Sequence, residues 1–260
     1  MRSYFRYSYI SIKEYLAYPT NILADLAAKF IYLFMQICLW KALFMGNENQ
    51  GIINYHETIR YIAAATVVSV IIECDIIARL NELIRNGNIS NDLLRPVDFK
   101  LIMLFKHLGT TFIKALMIAV PTFLFSAFLI NENPFDSVHI KWALISVILA
   151  YSIHFLYSLI IGMLAFFLIV TWPLNMLMGA LYKLLSGMWI PVSLFPDLLY
   201  KINLFLPFRA VYSIPLNILT MPNTNVGANI LIQIIWLVIF FILAKLVWKM
   251  GYKKLIVQGG

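Results

Sequence analysis

The sequence predicts an all-α integral membrane fold: six transmembrane helices, an amphipathic N-terminal helix, and a proline-cut segment before the last span. Three observations predict it. Hydrophobic residues fill 62% of the 260 positions and charged residues only 12%, against about a half and a quarter in soluble domains. Apolar runs recur that are long enough to cross a bilayer, for which about 20 residues suffice. Lysine and arginine gather in alternate connections, the signature of a cytoplasmic side.

Residues 1–18 read as an interfacial helix. At helical spacing Arg2, Arg6 and Lys13 fall within about 40° of arc, and Phe5, Ile12 and Leu16 form the neighbouring stripe. Such a helix lies at headgroup level with its cations among phosphates; a frayed tail is the alternative. Pro19 ends it. The segment has no apolar core or small-residue cleavage site of a secretory signal, so the first span is expected to serve as an uncleaved one.

The spans fall at about 22–44, 59–78, 108–130, 142–170, 173–189 and 227–248, in one transmembrane domain covering 1–260. Pro121 predicts a kink in the third. The fourth has no Asp, Glu, Lys or Arg and is long, so it tilts or projects. The second and fifth are short or carry charge. One side holds Arg2, Arg6, Lys13, Arg79, Arg85, Arg95, Lys100, Lys106, Lys245, Lys249, Lys253 and Lys254; the other holds Arg60, Lys141, Lys201 and Arg209. This bias places both termini in the cytoplasm. The net charge of +8 therefore serves the membrane surface and not nucleic acid. Cys38 and Cys74 read as reduced packing thiols.

No local catalytic, metal or nucleotide site is legible. GNENQG at Gly46–Gly51 lacks the lysine of a phosphate-binding loop. His56–Glu57 starts an HExxH-like string, but Arg60 stands where the second zinc ligand would be. His56, His107, His139 and His154 are scattered. The halves share no spacing of loops, glycines or prolines, which weighs against the duplicated plan of many secondary transporters. Glu73 and Asp75 near the inner end of span two suggest either a proton relay or, more simply, pairing with Arg79 one turn on. Lys183 lies about 15 Å into span five, where it faces an anionic substrate or a carboxylate, or else reaches the interface. Lys114 is expected to snorkel. Trp142, Trp172, Trp189 and Trp248 read as an interfacial belt.

Two connections are unusual. Residues 79–106 form a cytoplasmic connector. Span two continues to about Arg85, Asn86–Gly87 supplies a stop, Ser90 caps a short helix with Asp92 in its first turn, and Pro96 ends it. Ile89, Leu93 and Leu94 are its apolar face, with Arg95 beside them. Residues 190–222 form an outer segment cut by prolines into pieces of about ten residues, the length of re-entrant helices. Pieces at 197–206 and 209–219 predict a hairpin dipping into the outer leaflet, packed on protein.

Taken in order, GNISNDLLRPVDF (Gly87–Phe99) and SGMWIPVSLFPDLL with LPFRAVYSIPLNIL (186–199 and 206–219) resemble the transmembrane subunits of ATP-binding-cassette exporters, type-2 permease class. The resemblance covers nearly the whole chain. It implies the type-2 exporter fold, a plasma-membrane location, and two six-span subunits, identical or homologous, paired around a central path with membrane lipid about them. Cytosolic ABC ATPase subunits would carry ATP and Mg; this chain would hold no cofactor and perform no covalent chemistry. Ile89, Ser90, Asn91, Leu93, Leu94 and Arg95 would be the coupling contacts. Lys183, Gly187, Pro191, Phe195, Pro196, Pro207 and Phe208 would line the path or its outer gate. The alternative is a self-contained secondary transporter or channel using Lys183, Glu73 and Asp75; a membrane-embedded enzyme is a weaker third.

Overall fold

The computed structural model describes residues 2–45, 49–50, 53–94, 96–135, 139–168 and 171–258. Helix α1 (Arg2–Leu16) leads into α2 (Pro19–Phe44), with Pro19 in a first turn whose N–H groups have no helical partner anyway. Strands β1 (Asn49–Gln50) and β2 (Ile53–Asn54) pair in a two-residue antiparallel ladder. Next comes α3 (Tyr55–Ile72), capped where the Asn54 side chain accepts from the His56 N–H. Residues 73–75 are not helical, and α4 (Ile76–Arg85) follows. Helices α5 (Ile89–Leu93) and α6 (Phe99–Lys114) complete the connector.

A π-turn at Ala115–Ala119 joins α6 to α7 (Val120–Ile130). Pro121 stands two residues past its end, in the first turn of α7. Proline cannot donate to the preceding turn and clashes with its carbonyl, so widening that turn lets the helix continue. Helix α8 (Ile140–Met163) ends in a 3-10 turn, Leu164–Phe166. The helix of the fourth span thus ends at Phe166, short of the expected 170, and residues 169–170 lie outside the described residues. Then come α9 (Trp172–Leu185), α10 (Asp197–Leu204), α11 (Ser213–Thr220) and α12 (Val226–Gln258).

Among the described residues five helical stretches are long and apolar enough to cross a membrane: Pro19–Phe44, Tyr55–Arg85, Phe99–Ile130, Ile140–Phe166 and Val226–Lys253. The protein is a multi-pass membrane protein. Helix α9 has 14 residues, about 21 Å at helical rise, short of a hydrocarbon core of about 30 Å.

Burial orders the bundle. Every residue from Tyr61 to Val70 is buried, so α3 is apolar on all sides and surrounded, as a helix without a polar face must be. Helices α8 and α11 pack on it. In contrast, α12 buries one narrow stripe, Gln233, Phe240, Ala244 and Gly251, and α2 another, Leu33, Trp40 and Phe44. These spacings of four and seven residues keep one helix face inward. Their other faces leave Leu23, Ile31, Val238 and Phe241 exposed, which hydrocarbon tolerates and water does not.

The N-terminal helix forms as expected, and part of it docks on protein. Helix α1 runs along α6. Ser8 Oγ donates to the Phe105 carbonyl at 2.6 Å, Tyr4 stacks on Phe105 at 5.4 Å, and Tyr4 Oη accepts from the Asp98 N–H at 3.2 Å. A Cβ at Gly109 would overlap the Ser8 backbone, so glycine permits this approach. Phe5 and Leu16 remain exposed, available to lipid. Trp142 and Trp172 are exposed as a belt requires, but Trp248 stacks on Phe99 at 5.6 Å. Cys38 is exposed on α2 and not buried.

Candidate functional site

Three regions carry the residues singled out above: the connector, the break between α3 and α4, and the outer segment.

In the connector, Asn86 closes α4 and Gly87 adopts φ +70, the left-handed stop expected there. Helix α5 begins after Asn88, and Ser90 lies inside it. The Ser90 hydroxyl donates back to the Gly87 carbonyl at 2.6 Å, so Ser90 is not the cap. Asp92 does occupy the first turn. The apolar face is divided. Ile89 is 1% exposed, packed with Ile76, Leu80, Phe99, Met103 and Leu159, and Leu93 is partly buried against the same cluster. Leu94 is 84% exposed. A five-residue helix has too few turns to present a stripe on both sides: burying Ile89 fixes it to the bundle and turns Leu94 outward. Asn91 lies within α5; Arg95 lies outside the described residues.

At the break, the chain leaves the α-helix at Glu73–Asp75, and two carboxylates find three lysines from separate helices. Glu73 accepts from Lys29 at 2.9 Å and lies 3.6 Å from Lys183; Lys114 lies 3.5 Å from Asp75. The expected Asp75–Arg79 pair is replaced by the one with Lys114, which therefore does more than snorkel. Lys29 also reaches Ser69 Oγ at 2.9 Å. The α3 terminus frees carbonyls, and His154 takes one: its Nδ1 donates to the Ile72 carbonyl at 2.8 Å. His154 in turn stacks on Tyr182 at 4.5 Å. A cavity of about 260 Å³ opens beside the break, lined by Glu73, Asp75, Lys114, His154, Tyr182 and Lys183 among others. Lys29 and His154 as partners of the break were not foreseen. A lysine near the start of the first span, and a histidine in the span that otherwise lacks charge, were the available signals.

The outer segment is tied down at the end of α9. Gly187 adopts φ +86, and a Cβ there would stand 2.8 Å from Tyr61 Oη and 3.0 Å from Val192 Cγ2. Tyr61 Oη donates to the Gly187 carbonyl at 2.8 Å, the Ser213 N–H to the Ser186 carbonyl at 2.9 Å, and Asn203 Nδ2 to the Leu185 carbonyl at 3.0 Å. Gln233 of α12 completes the clasp: its Nε2 donates to the Ala210 carbonyl at 2.8 Å and to the Ser146 carbonyl at 3.1 Å, and its Oε1 accepts from Ser146 Oγ at 2.8 Å.

The proposed gate residues divide accordingly. Pro191 and Phe195 are buried, flanking the 3-10 turn Val192–Leu194, and Pro196 is exposed at the start of α10. Pro207 precedes a second 3-10 turn, Phe208–Ala210, and the Phe208 ring meets Tyr157 and Tyr182 edge-on. Lys183 is the polar member, its side chain 42% exposed. Gln233 and Tyr61 were not singled out from sequence; a glutamine within the most apolar span was the visible clue.

No curated protein and no solved structure matches the chain. The profile described as ABC-2 family transporter protein matches residues 30–259, which takes in the connector, the break and the outer segment alike. Five long apolar stretches, one of them built on the buried α3, together with that match, give the conclusion: the chain belongs to the ABC-2 transporter family.

Proposed function

We propose that the chain is the membrane-spanning subunit of an ATP-driven exporter, coupled to separate cytosolic ABC ATPase subunits that carry ATP and Mg. The observation that carries the reading is the connector within an ABC-2 family chain: a five-residue helix anchored by Ile89, with Leu94 turned away from the bundle. An anchored helix with an exposed apolar tip suits the transfer of rigid-body motion from a partner into α4 and α6. Ser90, Asn91, Leu93 and Arg95 complete the proposed contact, and Ile89 serves it as an anchor.

On this reading α9 is the fifth of six spans, lengthened by the turn that follows, and α10 with α11 is the re-entrant hairpin. Irregular backbone is tolerated at membrane depth when protein satisfies it; the donations from Tyr61, Asn203 and Gln233 support that placement. Both termini face the cytoplasm, the protein sits in the plasma membrane, and a second six-span subunit, identical or homologous, completes the path. ATP binding would draw the ATPases together, move the connectors and repack the two membrane subunits, so that the outer segment opens or closes.

Proline at Leu93, or Arg95→Glu, is expected to uncouple ATP hydrolysis from transport. Wild-type coupling in both variants would overturn the role given to the connector. The ion pairs at the helix break favour a second reading, a self-contained secondary transporter or channel. Transport by the chain alone in liposomes would support it.

A further inference from the structure

We infer that the cleft between α6, α8 and α12 is a binding site for one acyl chain and the phosphate of a membrane phospholipid. The cleft has a volume of about 400 Å³, within the range of about 300–1,000 Å³ usual for ligand pockets. Its floor is apolar: Phe155 and Leu159 of α8 and Ala244 of α12 are buried. Leu101 of α6 and Phe241 of α12 stand exposed at its rim. The chain spans a membrane, and the medium that meets an open apolar cleft there is lipid.

Polarity runs along the cleft in the order a phospholipid presents it. At one end lie Asp98 and Lys100 of α6 and Lys245 of α12. Phe99 and Trp248 stack beside them at 5.6 Å and join the two helices there. Away from that end the lining turns to Leu104, Leu156 and Phe241. Ser152 stands seven residues before Leu159 on α8, about 10 Å along the helix axis. Its hydroxyl donates to the Ile148 carbonyl of its own helix at 2.8 Å, so it asks nothing of a ligand. The charged end is the one where the connector enters α6. In the orientation proposed above, the head therefore lies among the inner headgroups and the chain points to the bilayer centre.

The charges at that end are not equivalent. Lys100 is already paired, 3.6 Å from Asp98, and lies over the Trp248 ring at 5.4 Å. Lys245 is exposed and lies over the Phe241 ring at 4.4 Å, which sets it at the mouth of the cleft. Among the described residues no carboxylate lies within ion-pair distance of Lys245. It is the cation a phosphate would meet, and one lysine near the headgroups adds roughly fivefold in affinity. The chain supplies the rest through close packing, since leaving bulk lipid for an apolar wall brings no hydrophobic gain. A lipid seated here would brace α6 against α12, independently of the ATPase-coupling reading.

The test uses the full chain with any co-purifying partners, in mild detergent and stripped of lipid. Phosphatidylglycerol carrying a diazirine in one acyl chain is added and irradiated, and its attachment sites are mapped by peptide mass spectrometry. Attachment is expected at Leu101, Leu104, Leu156 and Phe241. Unlabelled phosphatidylglycerol should compete for it, and inorganic phosphate should not. Diacylglycerol, which has the chains without the phosphate, should compete about fivefold less well. The K245Q variant should bind phosphatidylglycerol about fivefold more weakly and diacylglycerol as wild type does. Filling the cleft with S152F should abolish attachment there, while L23W, at an exposed site on α2, should match wild type. Should S152F not fold, L101W is expected to have the same effect. Attachment spread evenly over α2 and α12, as for lipid that merely surrounds the bundle, would overturn the site. So would cleft residues left unlabelled because a second copy of the chain covers them, or wild-type labelling of the filled cleft. Full competition by inorganic phosphate, equal competition by diacylglycerol, or unchanged affinity in K245Q would overturn it as well.

Discussion

Lys183 of α9 reaches Glu73 in the gap between α3 and α4, its Nζ 3.6 Å from Oε1. Lys29 of α2 holds the other carboxylate oxygen at 2.9 Å. One carboxylate thus ties three helices at the point where the central one breaks. Helix α9 is the short element that leads into the proline-cut segment, so this tie joins the break to that segment.

Removing the shared charge should cost more than removing either partner. Glu73→Gln leaves two lysines facing each other and is expected to destabilise by about 1–2 kcal/mol, reduced by partial exposure. Lys183→Gln leaves Glu73 paired with Lys29 and should cost less than about 1 kcal/mol. Thermal unfolding in detergent ranks the two. A larger loss for Lys183→Gln would mean that Lys183 does something besides hold Glu73.

Gly187→Ala should destabilise by about 1–3 kcal/mol, because φ +86 is strained for any side chain and the added methyl meets Tyr61 and Val192. Tyr61→Phe removes only the hydroxyl donated to the Gly187 carbonyl and should cost about 1 kcal/mol. Denaturation of both variants, with protease access to 190–222 as a second readout, checks the order.

Gln233→Leu keeps most of the volume but strips the Ala210 and Ser146 carbonyls and the Ser146 hydroxyl of a partner. A loss of about 1–2 kcal/mol is expected, at the upper end for polar contacts between membrane helices. Faster hydrogen exchange at 207–213 than in wild type would show that the clasp holds the outer segment. Unchanged exchange there would count against it.

Five of the six expected spans were legible because their cause is local: a run of apolar residues reads the same wherever the helix packs. Proline and glycine were legible at Pro19, Gly87 and Pro121 for the same reason, since each acts on its own turn. Partnerships across the bundle were not. Asp75 was paired with Arg79 by proximity on one helix, but the chain breaks at 73–75 and Lys114 arrives from α6. Ile89 and Leu94 look equivalent in a string, and only the α4–α8 cluster decides which is buried. His154 looked stray because the carbonyl it serves exists only where α3 ends.

The division of α5 separates stability from coupling. Ile89→Ala empties a fully buried site and should cost about 2–4 kcal/mol. Leu94→Asp changes an exposed residue and should leave stability within about 0.5 kcal/mol, yet weaken retention of the ATPase partner. Thermal unfolding and pull-down yield, measured on the same preparations, separate the two effects.

The central claim is that this chain works as the membrane partner of a separate ATPase. Affinity purification of the full chain from native membranes in mild detergent, with identification and stoichiometry of every co-purifying chain, tests it most directly. The account predicts an ABC ATPase subunit in equal number to the membrane subunits. A chain that purifies without any ATPase, yet transports by itself in liposomes, would contradict it.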